Sequence, residues 1–144
     1  DTYIGYIEKI SGSPLSSCEK LRRIVLGEED TIQAALMCVF PIKFYLESYS
    51  ESHVVKTLIK SGYEKYNALI TAVLEEGIRN GEFQTCLPVS ELAKFITGAI
   101  DGLAFQNLLV SSEKPEVPRS LLFSVLDRIL TPIYPTPRKE VSND

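Results

Sequence analysis

Apolar side chains recur at every third or fourth position through residues 63–78, and this spacing constrains the fold more than any other feature of the chain. Residues three and four apart share one face of a helix, so the spacing predicts a long amphipathic helix over about 53–80. Its apolar face consists of Tyr63, Tyr66, Ile70, Val73, Leu74, Gly77 and Ile78. The opposite face carries Glu64, Lys65, Glu75, Glu76 and Arg79. One side of this helix must therefore be buried against other elements.

Helical periodicity also dominates the N-terminal part of the chain, and no segment has the sustained polar–apolar alternation of a strand. Ser16 and Glu19 match a capping box and predict a helix over about 16–26. Another helix is expected from Asp30 onward. Pro41 interrupts that helix, because proline removes a backbone hydrogen bond and pushes on the preceding turn. We expect a kink or a break at this position.

The C-terminal part predicts two further helices, one over about 91–110 with Ser90 as its cap and one over about 119–131. The whole pattern predicts an all-α fold, an antiparallel bundle of about six helices. A chain of 144 residues can bury a core of its own, and we expect one domain over 1–144 that is ordered to about residue 131. The proline-rich tail, 132–144, is expected to be extended or disordered.

Two glycines lie near the end of the long helix, although glycine costs roughly 1 kcal/mol relative to alanine inside a helix. Gly77 lies on the apolar face, where the missing side chain allows a neighbouring helix to approach. Gly81 follows the last periodic residue, the position where a left-handed cap favours glycine. Phe83 is then predicted to return the chain to the core.

The last two helices carry more apolar surface than one core contact needs. The polar face of the 91–110 helix disappears in its second half, and the apolar residues of the 119–131 helix span an arc of about 200° at 100° per residue. A second subunit would cover this surface, and a two-fold dimer is the commonest oligomer. The alternative is that earlier helices cover both sides. We predict a homodimer whose interface contains Phe105, Leu108, Leu109, Leu121 and Val125.

No pattern in the sequence indicates catalysis or metal binding. His53 is the only histidine, and no glycine-rich phosphate loop, GxSxG elbow or HExxH motif is present. Cys18, Cys38 and Cys86 are scattered without metal-site spacing, which indicates reduced thiols in a cytoplasmic protein. We therefore expect a protein that is not an enzyme and that has no catalytic residues, cofactor or metal.

Charge and hydropathy exclude two further classes of partner. The net charge of −4 argues against nucleic-acid binding by this chain itself, because phosphate binding needs a basic surface. No apolar run is long enough to span a membrane, so we expect no membrane partner.

The interruption at Pro41 predicts a pocket, because a kinked helix cannot pack flush along its length and the gap can become a cavity. The side chains expected to line it are Met37, Phe40, Phe44, Tyr66, Ile70 and Phe95. Tyr66 would supply a hydroxyl that orients a ligand within otherwise apolar walls. The alternative is that these residues fill a solid core.

Two segments resemble the C-terminal regulatory domain of TetR-family transcriptional repressors. The segment LEEGIRNGEF, residues 74–83, matches the family's E-G-x-x-x-G-x-aromatic helix ending at Glu76, Gly77, Gly81 and Phe83. The segment LAKFITGAIDGLAFQNLL, residues 92–109, opens with a small residue and carries an acidic-Gly-Leu step, matched by Ala93, Asp101, Gly102 and Leu103. The resemblance covers roughly 60–130.

This resemblance implies a helical domain that binds a small-molecule effector between its helices and forms a homodimer through its last two long helices. The family also carries an N-terminal helix-turn-helix domain, and no basic segment of that type precedes residue 1. We therefore expect the effector-binding half of a repressor that contacts DNA only through the missing domain. The competing hypotheses are a stand-alone dimerisation module without a ligand and, less favoured, a small helical enzyme.

Overall fold

The computed structural model describes residues 3–26, 53–110 and 119–132. Within these ranges the chain forms five helices: α1 (Tyr3–Ser11), α2 (Ser17–Leu26), α3 (His53–Arg79), α4 (Val89–Val110) and α5 (Arg119–Ile129). The predicted all-α fold is confirmed. The helix expected from Asp30 and its interruption at Pro41 lie outside the described residues, as does the tail beyond residue 132.

Most predicted helix boundaries are close to those observed. The Ser16 cap is confirmed, because its Oγ accepts a hydrogen bond from the backbone N–H of Glu19 at 3.2 Å. The prediction that Ser90 caps the next helix is wrong. The helix α4 begins directly after Pro88, whose carbonyl accepts a hydrogen bond from the backbone N–H of Glu91 at 3.0 Å. Ser90 therefore lies inside the first turn.

The described structure contains one short strand pair, which the sequence pattern does not predict. Strands β1 (Phe83–Gln84) and β2 (Thr131–Pro132) pair antiparallel, with Phe83 opposite Pro132. Two residues on each side are too few for polar–apolar alternation to be visible in the sequence. The pair brings the chain after α5 back to the end of α3, and α5 accordingly ends at Ile129 rather than near residue 131.

The long helix α3 is central in the described structure, where it packs against α1, α2 and α4, while α5 packs mainly on α2. Its predicted apolar face is buried at Tyr66, Ile70, Val73 and Leu74. Ile78, at the edge of that face in the last turn, is exposed instead. The other helices and β1 complete the core with Ile7, Ile10, Leu21, Ile24, Val25, Phe83, Leu92, Ala93, Ile96, Ile100, Leu122, Leu126 and Leu130.

The two glycines shape what we term the α2–α3 junction, formed by Ser17–Lys20 and Glu76–Phe83. A Cβ atom at Gly77 would lie 2.3 Å from Cζ of Phe83 and 2.9 Å from Cβ of Ser17, so α2 and the Phe83 ring can approach only because Gly77 has no side chain. Gly81 has a φ of +71°, a left-handed conformation that glycine adopts without strain. Both predicted roles are confirmed, and so is the burial of Phe83.

Charged groups complete the α2–α3 junction. Nζ of Lys20 lies 2.8 Å from Oε2 of Glu76, and the Lys20 side chain is only 4% exposed. The Glu82 carboxylate accepts hydrogen bonds from the backbone N–H groups of Ser17 and Cys18. The start of α2 is therefore held by two carboxylates that flank the end of α3.

Candidate functional site

The residues predicted to line a pocket fall into two groups. Tyr66 and Ile70 lie in the buried core on α3, whereas Phe95 on α4 is 49% exposed and lies outside that core cluster. Its neighbours on the helix, Leu92, Ala93 and Ile96, are buried. Met37, Phe40 and Phe44 lie outside the described residues. The structure therefore brings Tyr66 and Ile70 together without Phe95, and the pocket stays a prediction.

A row of polar side chains joins α3 to α4 beside this core. The hydroxyl of Tyr63 donates a hydrogen bond to Oδ2 of Asp101 at 2.5 Å. One turn later in α3 and one turn earlier in α4, the hydroxyl of Thr97 donates to Oδ1 of Asn67 at 2.8 Å. Each helix supplies residues four apart, which share one face, so the two contacts form one edge. We term Tyr63, Asn67, Thr97 and Asp101 the polar seam.

Only part of the polar seam has a signal in the sequence. Asp101 stands out between two glycines, whereas the periodicity predicts Tyr63 on the apolar face of its helix. Asn67 and Thr97 are ordinary polar residues whose pairing depends on how α3 lies against α4. The spacing of four on both helices is the pattern that could have indicated an interhelical seam.

Asp101 is the only ionisable carboxyl group of the polar seam. It is half-buried, and burial raises the pKa of this carboxyl above its usual value, while the hydrogen bond from Tyr63 opposes that rise. Among the described residues its other oxygen, Oδ1, accepts no hydrogen bond, and no cation forms an ion pair with it. The partly desolvated carboxylate of Asp101 thus accepts a hydrogen bond from one side chain of the described residues, that of Tyr63.

The nearby lysines of α3 and α4 are paired with other carboxylates. Lys94 lies 3.0 Å from Glu91 on α4, and Lys60 lies 3.7 Å from Glu64 on α3. Lys65 lies 2.6 Å from Glu8 on α1. These three lysines are therefore engaged by carboxylates outside the polar seam.

The predicted dimer residues are described only on α5, where Leu121 is 62% and Val125 is 39% exposed. The side chains of Phe105, Leu108 and Leu109 lie outside the described part of the structure. On α4, Gly98 and Gly102 are exposed, and among the described residues a Cβ atom at either would meet no atom within 4 Å. Within the described ranges, both helices thus have a face of apolar or side-chain-free positions that no other described element covers.

Other candidate chemistry is sparse in the described ranges. His53 is exposed at the start of α3, and no cluster of His, Cys, Asp and Glu suited to a metal ion occurs among the described residues. Cys18 and Cys86 are free thiols, and Cys38 lies outside the ranges described. None of the described helices combines the length and the apolar character that a membrane crossing requires.

Comparison with known proteins gives one match. The sequence model of the family described as tetracyclin repressor-like, C-terminal domain, matches residues 25–118. This range covers well over half of the chain and contains α3, α4 and both of the motif segments. No curated protein and no solved structure matches the chain.

Proposed function

The chain belongs to the family of tetracyclin repressor-like C-terminal domains, and from this membership we propose that it is the effector-binding and dimerisation domain of a transcriptional repressor. Domains of this family are regulatory parts of transcriptional regulators. In this proposal, DNA is contacted by a helix-turn-helix segment outside these 144 residues, which carry a net charge of −4.

The observation that carries the dimer is the face of α4 and α5 that no other described residue covers. Leu121 and Val125 are large apolar side chains left exposed one turn apart on α5. Gly98 and Gly102 place no side chain on their side of α4, where no described residue approaches within 4 Å of a Cβ position, so that a helix of a second copy can approach closely. The predicted interface residues Phe105, Leu108 and Leu109 extend this face towards the end of α4.

The effector site of this proposal lies between α3, α4 and the segment that contains Pro41. Tyr66 and Ile70 supply its α3 side. Met37, Phe40 and Phe44 are the walls proposed from the Pro41 segment, and the exposed Phe95 would lie at most at its edge. In this proposal, effector binding favours one relative orientation of the two subunits. That orientation moves the two DNA-binding domains out of register with the DNA. The competing hypothesis is a dimerisation module with a filled core and no ligand.

A thermal-shift screen distinguishes the effector-binding hypothesis from the ligand-free dimerisation module. Apolar and planar compounds should include some that raise the melting temperature, because a ligand at one hundred times its Kd stabilises the folded state by about 2.7 kcal/mol. Sedimentation of the same protein at micromolar concentration should give a dimer. A dimer that no compound stabilises would favour the ligand-free module, and a monomer would contradict the dimerisation role.

Truncation of two predicted wall residues tests the pocket itself. In a solid core, Phe40→Ala or Phe44→Ala should lower the free energy of unfolding by roughly 3–5 kcal/mol. At a pocket wall the loss should be well below that, because one side of the ring does not contact protein. Core-sized losses at both positions, measured by urea unfolding, would remove the support for an effector pocket.

A further inference from the structure

The first two turns of α3 extend beyond the start of α1. A Cβ atom at Gly62 would lie 3.9 Å from Cδ1 of Ile4, and Nζ of Lys65 lies 2.6 Å from Oε1 of Glu8. The two contacts advance in the same direction along both helices, so α1 runs parallel to α3. Ile4 is in the first turn of α1, and residues 53–60 therefore precede the part of α3 beside which α1 begins.

Two large apolar side chains lie on this projecting part of α3. Val54 is 69% and Leu58 is 67% exposed, more than any other large apolar side chain of the described residues. Both lie on the side of α3 that packs on α1, because Val54, Leu58 and Gly62 follow one another at intervals of four residues. The face that contacts α1 thus continues as an apolar strip beyond the start of α1. We term Val54 and Leu58 the α3 strip.

The α3 strip lies on the side of α3 away from α4. Asn67, whose Oδ1 accepts a hydrogen bond from Thr97, marks the side that faces α4. Leu58 and Asn67 are on opposite sides of the helix, about 180° apart at 100° per residue. A second copy that docks on the α4 side of the proposed dimer face would therefore leave the α3 strip uncovered.

We propose that the segment preceding Asp1 in the full-length repressor packs on the α3 strip as an amphipathic helix, in line with α1. The inference rests on the proposed function, in which a helix-turn-helix segment outside these 144 residues contacts DNA. Parallel helices keep their register along a contact, because each rises about 1.5 Å per residue. The positions four and eight residues before Ile4 therefore lie beside Leu58 and Val54, and both should be apolar.

This contact joins the DNA-binding part of the repressor to the helix that forms one side of the proposed effector site. Tyr66 and Ile70, the α3 side of that site, belong to the same continuous helix as the α3 strip. Leu58 and Tyr66 are about 12 Å apart along the helix axis. A displacement of α3 at the effector site is thus felt directly at the contact with the preceding segment.

Alkylation of a cysteine in the α3 strip tests the contact. Leu58→Cys is introduced into the 144-residue chain and into the full-length repressor, and peptide mass spectrometry follows its reaction with iodoacetamide apart from the native thiols. The cysteine should react about tenfold or more slowly in the full-length protein, because the preceding segment covers it. Lys60→Cys is the matched control and should react equally fast in both proteins. Lys60 is exposed and lies about 160° around the helix from Leu58.

The stability of Leu58→Ala is a second measurement that introduces no thiol. In the full-length protein the variant loses a buried side chain, and the melting temperature of this domain should fall by about 4 °C or more. In the 144-residue chain Leu58 is exposed, so the melting temperature should change by less than about 2 °C.

The outcomes distinguish this inference from the proposed function. Equal alkylation of the cysteine in the two proteins overturns the inference. Fast reaction in both would mean that nothing covers the α3 strip, and slow reaction in both would mean that a second copy or another part of these 144 residues covers it. Val54→Cys gives the same comparison if Leu58→Cys does not fold. DNA binding and effector binding by the full-length protein would then leave the proposed function intact. A full-length protein that does not bind DNA, or that has no segment before Asp1, would contradict both.

Discussion

Oε1 of Glu82 accepts a hydrogen bond from the backbone N–H of Ser17 at 3.0 Å, and this contact ties the end of α3 to the start of α2. Oε2 of the same carboxylate accepts a hydrogen bond from the backbone N–H of Cys18 at 2.9 Å. The first N–H groups of a helix have no intrahelical acceptor and form the positive end of the helix dipole. Glu82 therefore caps the start of α2, although it lies far from that helix in the sequence.

Removal of this cap should destabilise the protein. We expect Glu82→Ala to lower the free energy of unfolding by about 1–2 kcal/mol, because two backbone donors lose a charged acceptor. Glu75→Ala is the matched control, since Glu75 is an exposed carboxylate near the same end of α3. Urea unfolding should give a loss below about 0.5 kcal/mol for the control. Equal losses for the two variants would contradict the capping role.

The glycines of α3 should respond in opposite directions to alanine. Gly77→Ala places Cβ 2.3 Å from Cζ of the buried Phe83 ring, and such overpacking should cost about 2 kcal/mol or more. Among the described residues, a Cβ atom at Gly62 would meet only Cδ1 of Ile4, at 3.9 Å, so Gly62→Ala should stabilise the helix by up to about 1 kcal/mol. Melting temperatures of the two variants measure the contrast. A Gly77→Ala protein as stable as the wild type would refute the close approach at the α2–α3 junction.

These two cases illustrate how far the sequence could predict the fold. Gly77, Gly81 and the helix α3 follow from local spacing and from backbone preferences, which are properties of a few neighbouring residues. Glu82 has no such local signal, because its partners lie 65 and 64 residues earlier in the chain. Contacts of this kind depend on how the helices pack, and a single sequence does not specify that packing.

The residues of the candidate site also differ in how far the sequence predicts them. The periodicity of α3 predicts a buried face for Tyr66 and Ile70, and both are buried. The pattern of α4 predicts Phe95 on its apolar side, but Phe95 lies at the margin of that side and is half-exposed. The partners Tyr63 and Asp101 could not be matched, because periodicity gives the faces of each helix and not the register between two helices.

The thiols should differ in their reactivity with iodoacetamide. Burial raises the pKa of the Cys18 thiol, and the carboxylates of Glu82, Asp127 and Glu19 raise it further. The thiolate is the nucleophile, so Cys18 should be alkylated more slowly than the exposed Cys86. Peptide mass spectrometry over time measures both rates, and Glu82→Ala should speed the reaction of Cys18. The prediction fails if Cys18 reacts as fast as Cys86.

The pH dependence of stability should contain a contribution from Asp101. Burial raises the pKa of its carboxyl in the folded state above the ordinary value of 3.8, so the folded protein binds this proton more tightly than the unfolded chain. The stabilisation is fully present below the unfolded pKa and is lost as pH rises through the folded pKa. Asp101→Asn should therefore gain stability relative to the wild type as pH rises.

Urea unfolding between about pH 4 and about pH 8 measures that difference. Tyr63→Phe gives a matched test in the opposite direction. The hydrogen bond from Tyr63 lowers the pKa of Asp101, so its loss should move the transition to higher pH. A stability difference between Asp101→Asn and the wild type that does not change with pH would exclude the raised pKa.

A charge on the uncovered face of α5 should separate the proposed dimer. Leu121 and Val125 are 62% and 39% exposed in the single chain, and in a dimer they would be buried against the second copy. We expect Leu121→Lys or Val125→Lys to give a monomer at micromolar concentration, because an unpaired charge in an apolar interface loses its hydration without gaining a partner. Phe105→Lys and Leu109→Lys should have the same effect if the interface extends along α4.

Ser120→Lys is the control. Ser120 is exposed on α5 but points away from the Val125 side, so this variant should remain a dimer. Sedimentation velocity gives the mass of each variant, and hydrophobic-dye binding should rise in the monomers because their apolar surface is uncovered. A wild-type monomer, or dimers for both Leu121→Lys and Val125→Lys, would mean that this face is covered by something other than a second copy.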